Sequence, residues 1–446
     1  MWSVSGGTVG RRELLAGLGT VASALAAACR QGQPAPAAQP AKPVTVTFFS
    51  PASDQLGDEI MRDLVLNQFQ SEYPSIKVDY VFTPTENNYE KYVAAIVSGN
   101  SPDVIMTYTY TPVPGWAFKE LIQPLDQYRT EMKIRQEDYF ANVWEMIFFN
   151  GHLWGFLQEF DANLYCWNKD TLAKEGIDPN KPPRTIEEMD ALSAAVTKRD
   201  ESGALSQVGI VPWSHGGTLF WTTMHGGSYY DFKNGKFTIL TPQSIATLEW
   251  FAGWVKRYGG IETVNAFNQK YNLTARTSFY NGQTPLTIQG EYRPIVWQRE
   301  APQVQTGVAF TPTAPGVTYG TGQTGGGNVF VLPQGAPHRD QGVVLMKWLA
   351  SPKAVWEWCV RENNLPPVKA IAFDPKFAEA VPLMKPWLEM LRLDKMMPVI
   401  SHPLVATFNS KLSQATTRVI TGEMSPRDSL RQMETEMNIE LEQLKR

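Results

Sequence analysis

Three short apolar runs separated by two amphipathic stretches constrain this chain most. "VTVTFF" from Val44 reads as a buried strand. "DEIMRDLVLNQFQSEYP" then sets Ile60, Leu64, Val65 and Phe69 on one helical face, and "IKVDYVF" alternates as a second strand. Tyr89, Val93, Ile96 and Val97 mark a second helix, and "PDVIMTY" gives a third strand. A β-α-β-α-β opening of this kind implies a parallel sheet with right-handed crossovers. Ligands of such sheets bind beyond the carboxyl ends of the strands. Residues 50–55, 83–88 and 108–111 occupy those ends.

Further along, "GHLWGFLQEFDANLYCWNKD" reads as a turn and two strands, and Thr185 with Glu188 three residues on predicts a capped helix. Trp250, Phe251, Trp254 and Val255 form another amphipathic face. "GQTPLTIQGEYRPIVW" and "GNVFVLPQG" are strand-like, whereas 343–349, 355–360 and 426–445 are helix-like. Strand-rich and helix-rich stretches interleave, which suits two α/β lobes crossed several times by the chain. No internal repeat is present.

The N-terminus has a different character. Arg11 and Arg12 precede a modestly apolar run ending in Ala26, Ala27, Ala28 and Cys29, too short to span a bilayer. That is the layout of an export signal. The arginine pair resembles a twin-arginine signal, and the small residues before Cys29 resemble a lipobox, where bacterial lipoproteins are cleaved and acylated. Leu25 stands four residues before the cysteine rather than three, so ordinary signal cleavage nearby is the alternative. Residues 1–28 therefore read as an export signal and 29–43, rich in Pro, Ala and Gln, as a flexible spacer. Removing 1–28 takes out two arginines and one glutamate, which moves the formal charge from −4 to −5. A mildly acidic body without a basic block argues against nucleic acid as a partner. Cys166 and Cys359 are expected as buried free thiols, with a disulfide between them as the alternative in an exported protein.

Signatures of catalysis are sparse. The loop after the first strand has one glycine where a dinucleotide turn needs three. "GTGQTGGGNVFVLP" lacks the Lys-Ser/Thr of a P-loop, and His152, His215, His225, His338 and His402 show no zinc spacing. No cofactor and no metal are expected. Glu159 and Asp161, two apart on an extended segment, point to one side. Paired carboxylates serve glycoside hydrolysis, but catalytic pairs face each other from different elements. Adjacent carboxylates on one strand suit the binding of sugar hydroxyls. An exported carbohydrate-active enzyme is the alternative from another class.

"VLNQFQSEYPSIKV", "KYVAAIVSGNSPDVI", "ELIQPLDQY", "GHLWGFLQEFDANLYCWNKD", "FYNGQTPLTIQGEY" and "GGGNVFVLPQGAPHRDQGVVLMKWLASP" occur in that order. Together they resemble the extracellular solute-binding proteins of family 1, from about residue 44 to about residue 367. Two positions depart from the family pattern. Gly290, Glu291 and Tyr292 stand where a Gly-Trp pair is common, and Trp167 replaces a tyrosine.

The resemblance implies a periplasmic-binding-protein-like fold of type II: two α/β lobes, each a sheet flanked by helices, with ligand between them. The implied division is 44–158 for the N-terminal lobe, 159–287 for the C-terminal lobe, 288–313 for a return to the first, and 314–446 to complete the second. Crossings are expected near 157–162, 287–290 and 311–316. The implied role is the substrate-binding component of an ABC importer that takes a sugar or oligosaccharide by hinge closure. Its expected partners are the ligand, the permease subunits and, through acylated Cys29, the outer face of the membrane, with the chain itself a monomer. A polyamine, a peptide or a phosphorylated polyol remains open as ligand, and a sensor remains open in place of the permease. Sugars need flat apolar faces together with planar polar groups. Candidate ligand residues at sheet ends and crossings are Tyr108, Tyr110, Glu159, Asp161, Trp213, Trp221, Glu291, Tyr292, Arg293 and Asn328. Trp250, Trp254, Trp348, Trp356 and Trp358 sit at helical spacings and are expected to be packing.

Overall fold

The computed structural model describes residues 42–51, 55–83, 89–271, 277–322 and 326–445. Cys29, the export signal and the spacer up to residue 41 lie outside the described residues, as does most of the expected ligand loop at 83–88. Among the described residues, no helix is long and apolar enough to cross a membrane.

The opening pattern folds as its periodicity requires. Strands β1 (Val44–Ser50), β2 (Ile76–Phe82) and β3 (Val104–Thr109) pair in parallel, with Val44 opposite Ile76 and Phe48 opposite Val104. Ile60, Leu64, Val65 and Phe69 on the first crossover are each at most 1% exposed. The second crossover, Tyr89–Val97, turns a different face inward: Tyr92 and Ile96 are buried, while Val97 is 73% exposed. The sheet is completed from far along the chain. Strand β4 (Phe156–Leu157) forms its edge, and a late strand, residues 326–331, lies antiparallel between β3 and β4.

The second sheet has three antiparallel strands. The middle one is β5 (Asn163–Asn168), flanked by β6 (Leu286–Gly290) and β7 (Thr306–Ala309). The late strand of the first sheet, Gly326–Val331, is β8. Trp167 fits in β5 because Gly307 faces it; a Cβ on Gly307 would come within 1.9 Å of the indole. The helix Pro242–Tyr258, which opens with a Thr241–Ser244 capping box and closes at left-handed Gly259, packs against the helix Val405–Ile420. The predicted cap at Thr185 is present, its hydroxyl accepting the Glu188 N–H at 3.2 Å.

These pairings move the lobe boundaries. Residues 288–313 do not return to the first sheet, because β6 and β7 hydrogen-bond along β5. The expected crossing at 287–290 is the end of β6. The segment expected to complete the second lobe instead sends β8 and the helix Arg339–Leu349 to the first sheet. Asp103 secures that helix, its carboxylate accepting the N–H groups of Thr47 at 2.8 Å and His338 at 2.5 Å. The chain therefore passes from one sheet to the other at 158–162 and in the connection from β7 to β8, and after the helix Pro352–Glu362 Leu365 bridges Phe160. Cys166 and Cys359 are buried free thiols.

Candidate functional site

The extended run after β4 places Glu159 and Asp161 on one side, and the chain geometry brings three distant segments to them. Glu291 follows directly on β6, Asn328 lies in β8, and Asn364 follows the helix Pro352–Glu362, whose end is set by left-handed Asn363 (φ 60°). The Asn363 side chain donates to the Glu291 carbonyl, holding this end against β6.

At the centre, oxygens of Glu159, Asp161 and Glu291 lie within 4.8 Å of one another. Glu159 is 5% exposed and Glu291 not at all, whereas Asp161 is partly exposed. Glu159 Oε1 accepts the Asn328 N–H at 2.8 Å, and Glu291 Oε2 accepts the Ala162 N–H at 3.0 Å. Asn364 Nδ2 lies 3.4 Å from an oxygen of each glutamate. Burial pushes Glu159 well above the ordinary carboxyl range, helped by the negative charges of Asp161 and Glu362. Glu291 is raised in the same way, first by burial and then by Asp161. Burial lifts Asp161 to about 6, opposed by hydrogen bonds from Glu291 and Asn364 and by the charge of Arg293.

Three carboxylates make an oxygen donor set suited to a hard cation. Each glutamate already gives one oxygen to a backbone N–H, however, and Asn364 presents its NH₂ to both. The arrangement as it stands is a hydrogen-bonded cluster.

The other candidates fall into two groups. Tyr292 lies against Gly290, where a Cβ would come within 2.4 Å of its ring, and the Arg293 guanidinium sits 5.0 Å from the ring centre. Arg293 Nε also donates to Gln289 at 3.2 Å. Tyr292, Arg293 and Asn328 thus border the carboxylates. Tyr110 is 2% exposed and donates to the Ile400 carbonyl at 2.8 Å. Trp221 is fully buried and donates to the carbonyls of Pro212 and His215. Tyr108 is partly buried on β3. Trp213 is partly exposed and borders a cavity of about 440 Å³ with Thr218, Asn409 and Thr416. Of the two tryptophans in that stretch, Trp213 borders that cavity and Trp221 does not. Trp254, Trp348 and Trp358 are buried, and Trp250 and Trp356 pack partly buried against the core.

Sequence reading missed Asn364 and the last crossing, although "NNLPP" after a helical run is a recognisable helix stop. It also missed a cavity of about 370 Å³ between the helix Pro112–Phe118, just beyond β3, and the start of the helix Val405–Ile420. Tyr89, Thr111, Trp116, Pro403 and Thr407 line it. The walls nearly touch at Gly115, where a Cβ would stand 3.0 Å from the Pro403 carbonyl oxygen.

Comparison with solved structures gives the class. A protein solved with mannotriose bound, CpMnBP1, aligns with a TM-score of 0.77 at 22% identity, covering 88% of this chain and 99% of that one. MalE3 of T. maritima, solved with maltose, aligns with a TM-score of 0.72 at 20% identity, covering 89% and 99%. The fold is that of the two-lobed binding proteins.

The pattern of the family described as bacterial extracellular solute-binding protein matches residues 52–356, and the chain belongs to that family. Among curated relatives, the sn-glycerol-3-phosphate-binding periplasmic protein UgpB of Shigella dysenteriae is 25% identical over 351 residues, 74% of this chain and 75% of the relative. UgpB of Escherichia coli K12 is 24% identical over 350 residues with the same shares. These relatives are binding proteins rather than enzymes.

Proposed function

We propose that this chain is the substrate-binding component of an ABC importer and that its ligand is a neutral sugar or oligosaccharide, enclosed when the two lobes close. The acid cluster at the waist carries this reading. Glu159, Asp161, Glu291 and Glu362 crowd a region where Arg293 supplies positive charge to Asp161. A phosphate would meet the Asp161 carboxylate among groups that mostly accept hydrogen bonds, whereas sugar hydroxyls would find an acceptor in Asp161 and an apolar face in Tyr292. That argues for the sugars seen with the structural neighbours over the glycerol phosphate of the UgpB relatives. The same acceptor groups favour a polyamine as second reading, with the aromatic rings completing a cation cage.

A thermal-shift series with mannobiose, mannotriose, maltose, sn-glycerol 3-phosphate and spermidine tests the choice. Ligand at 100 times its dissociation constant adds about 2.7 kcal/mol to stability. A shift with glycerol phosphate alone would sink the sugar reading. Closure predicts a smaller radius of gyration in solution scattering once the ligand saturates.

The mature chain is further proposed to begin at Cys29, acylated and tethered by the spacer within reach of its permease. Intact mass of membrane-extracted protein should show acyl chains. Cys29→Ala giving the same membrane-bound species would refute the anchor.

A further inference from the structure

The connection from β7 to β8 walls a cavity of about 530 Å³ that none of the waist acids line. Its other walls are residues 182–184, ahead of the helix Ile186–Val196, and the helix Lys385–Arg392. Main-chain bonds fix this frame. Thr313 N–H donates to the Arg184 carbonyl at 3.2 Å, Thr311 N–H to the Gly320 carbonyl at 2.9 Å, and Gly320 N–H to the Lys395 carbonyl at 2.8 Å. A cavity framed in this way is formed before any ligand arrives, which spares the ligand the cost of ordering it.

Two features of the lining point to an occupant. The first is a pair of rings. Phe310 and Tyr319 are partly exposed, and neither packs against another aromatic ring among the described residues, whereas Tyr165 stacks on Trp167 and Trp221 on Phe220. The second is polar. Thr311 is 3% exposed and lines the same cavity, and its hydroxyl has no hydrogen-bond partner among the described residues. Buried hydroxyls are seldom left so. At the rim, exposed Arg184 and Glu389 come from different walls, and no ion pair joins them, although the Arg184 charge also acts on Glu188. The C–H face of a pyranose suits the rings. Its hydroxyls can donate to Glu389 and accept from Arg184 and Thr311. An anion would satisfy Arg184 but face Glu389, and a cation would meet the reverse.

We propose that this cavity is a second carbohydrate site, apart from the waist, which holds the end of a neutral oligosaccharide. Phe310 and Tyr319 bear the sugar ring, Thr311 bonds a hydroxyl, and Arg184 and Glu389 close the rim. The site stands on its own lining and needs neither Asp161 nor Tyr292. A sugar held there rests against the stretch of chain that links the two sheets.

Equilibrium dialysis of the full chain with labelled mannotriose counts the sites. The parent should bind two molecules per chain. Tyr319→Ala should bind one, at the waist, and Asp161→Asn should keep the cavity site at its parent affinity. Thr311→Val removes the hydroxyl at nearly constant volume and should weaken the cavity site about threefold or more, which keeps the test open if Tyr319→Ala does not fold. A single site in the parent that neither Tyr319→Ala nor Thr311→Val alters would overturn the proposal, as would no mannotriose bound at any site. A melting-temperature shift with the zwitterion leucyl-leucine that Tyr319→Ala abolishes, while mannotriose binding stays unchanged, would also overturn it, since the opposed charges would then serve an amino and a carboxyl group. One site that survives Asp161→Asn and is lost in Tyr319→Ala would support the cavity site while the waist reading fails.

Discussion

Asp190 in the second lobe and Glu291 at the waist are both acids drawn out of water, and the chain treats them oppositely. Asp190 takes indole N–H groups from Trp250 at 2.9 Å and Trp254 at 3.0 Å, both from one helix turn, and the charges of Arg257 and Glu187 act on it in opposite senses. Glu291 is surrounded by two further carboxylates contributed by another segment of chain. The aromatic region pairs its partly buried acid with two indole N–H donors from a second helix. The waist gathers its acids from separate parts of the chain, and their arrangement depends on how four segments meet. Stability should therefore reside in the first region and affinity in the second.

The largest expected effect tests the aromatic side. Trp221→Ala leaves a cavity and two carbonyls without their donor, so it should cost about 3–5 kcal/mol in urea unfolding. Affinity of the folded fraction should stay near that of the parent. A loss of affinity at unchanged stability would move Trp221 into the site and erase the contrast.

At the waist the balance reverses. Asp161→Asn should weaken sugar binding by roughly 1.5–3 kcal/mol, the worth of hydrogen bonds to a charged group, without lowering the melting temperature. Next comes Tyr292. Its replacement by Phe should be mild, and Tyr292→Ala should cost about tenfold, since aromatic contact supplies on the order of 1 kcal/mol beyond area burial. If Ala binds like the parent in calorimetry, Trp213, which borders a cavity, becomes the better platform.

The smallest effects separate the regions by the sign of their pH response. Glu159 is raised above its ordinary 4.5, so its contribution is complete below that pH and declines as pH rises. Glu159→Gln should therefore gain stability over the parent progressively above about pH 4.5. His215 is the reverse. Burial lowers it from 6.5 to about 4, and its Nδ1 accepts the Val211 N–H at 3.3 Å, which requires the neutral ring. Its contribution is present above pH 6.5 and fades toward pH 4, so His215→Gln should lose less stability than the parent over that interval. Urea midpoints across pH check both. Parallel curves for the two variants would break the comparison.

The parts of this molecule legible in sequence are those set by near neighbours along the chain. The opening β-α-β-α-β pattern, the Thr185 cap and the packing role of Trp254 follow from periods of two and 3.6, which act within a few residues. Glu159 and Asp161 could be placed on one side for the same reason. That Glu291 and Asn364 join them could not, because it depends on which strand pairs with β5 and where the last crossing lies. The return assigned to 288–313 failed on the same ground: β6 and β7 are strand-like whichever sheet receives them. Trp213 and Trp221 are equivalent as letters. Only the fold shows that one has two carbonyl partners and the other borders an opening.

The position of β8 between β3 and β4 also bears on the order in which the molecule assembles. The place between β3 and the edge strand β4 stays vacant until residues 326–331 arrive, after every strand of the second sheet has been synthesised. The N-terminal lobe, first to be made, is thus among the last to be finished, and β3 waits with an unpaired edge. Pairings of such long separation slow folding and lengthen exposure to aggregation. A chain stopped before β8 should hold a nearly complete second sheet and a first sheet that recruits other chains, so truncation is expected to cause association well before it causes loss of secondary structure.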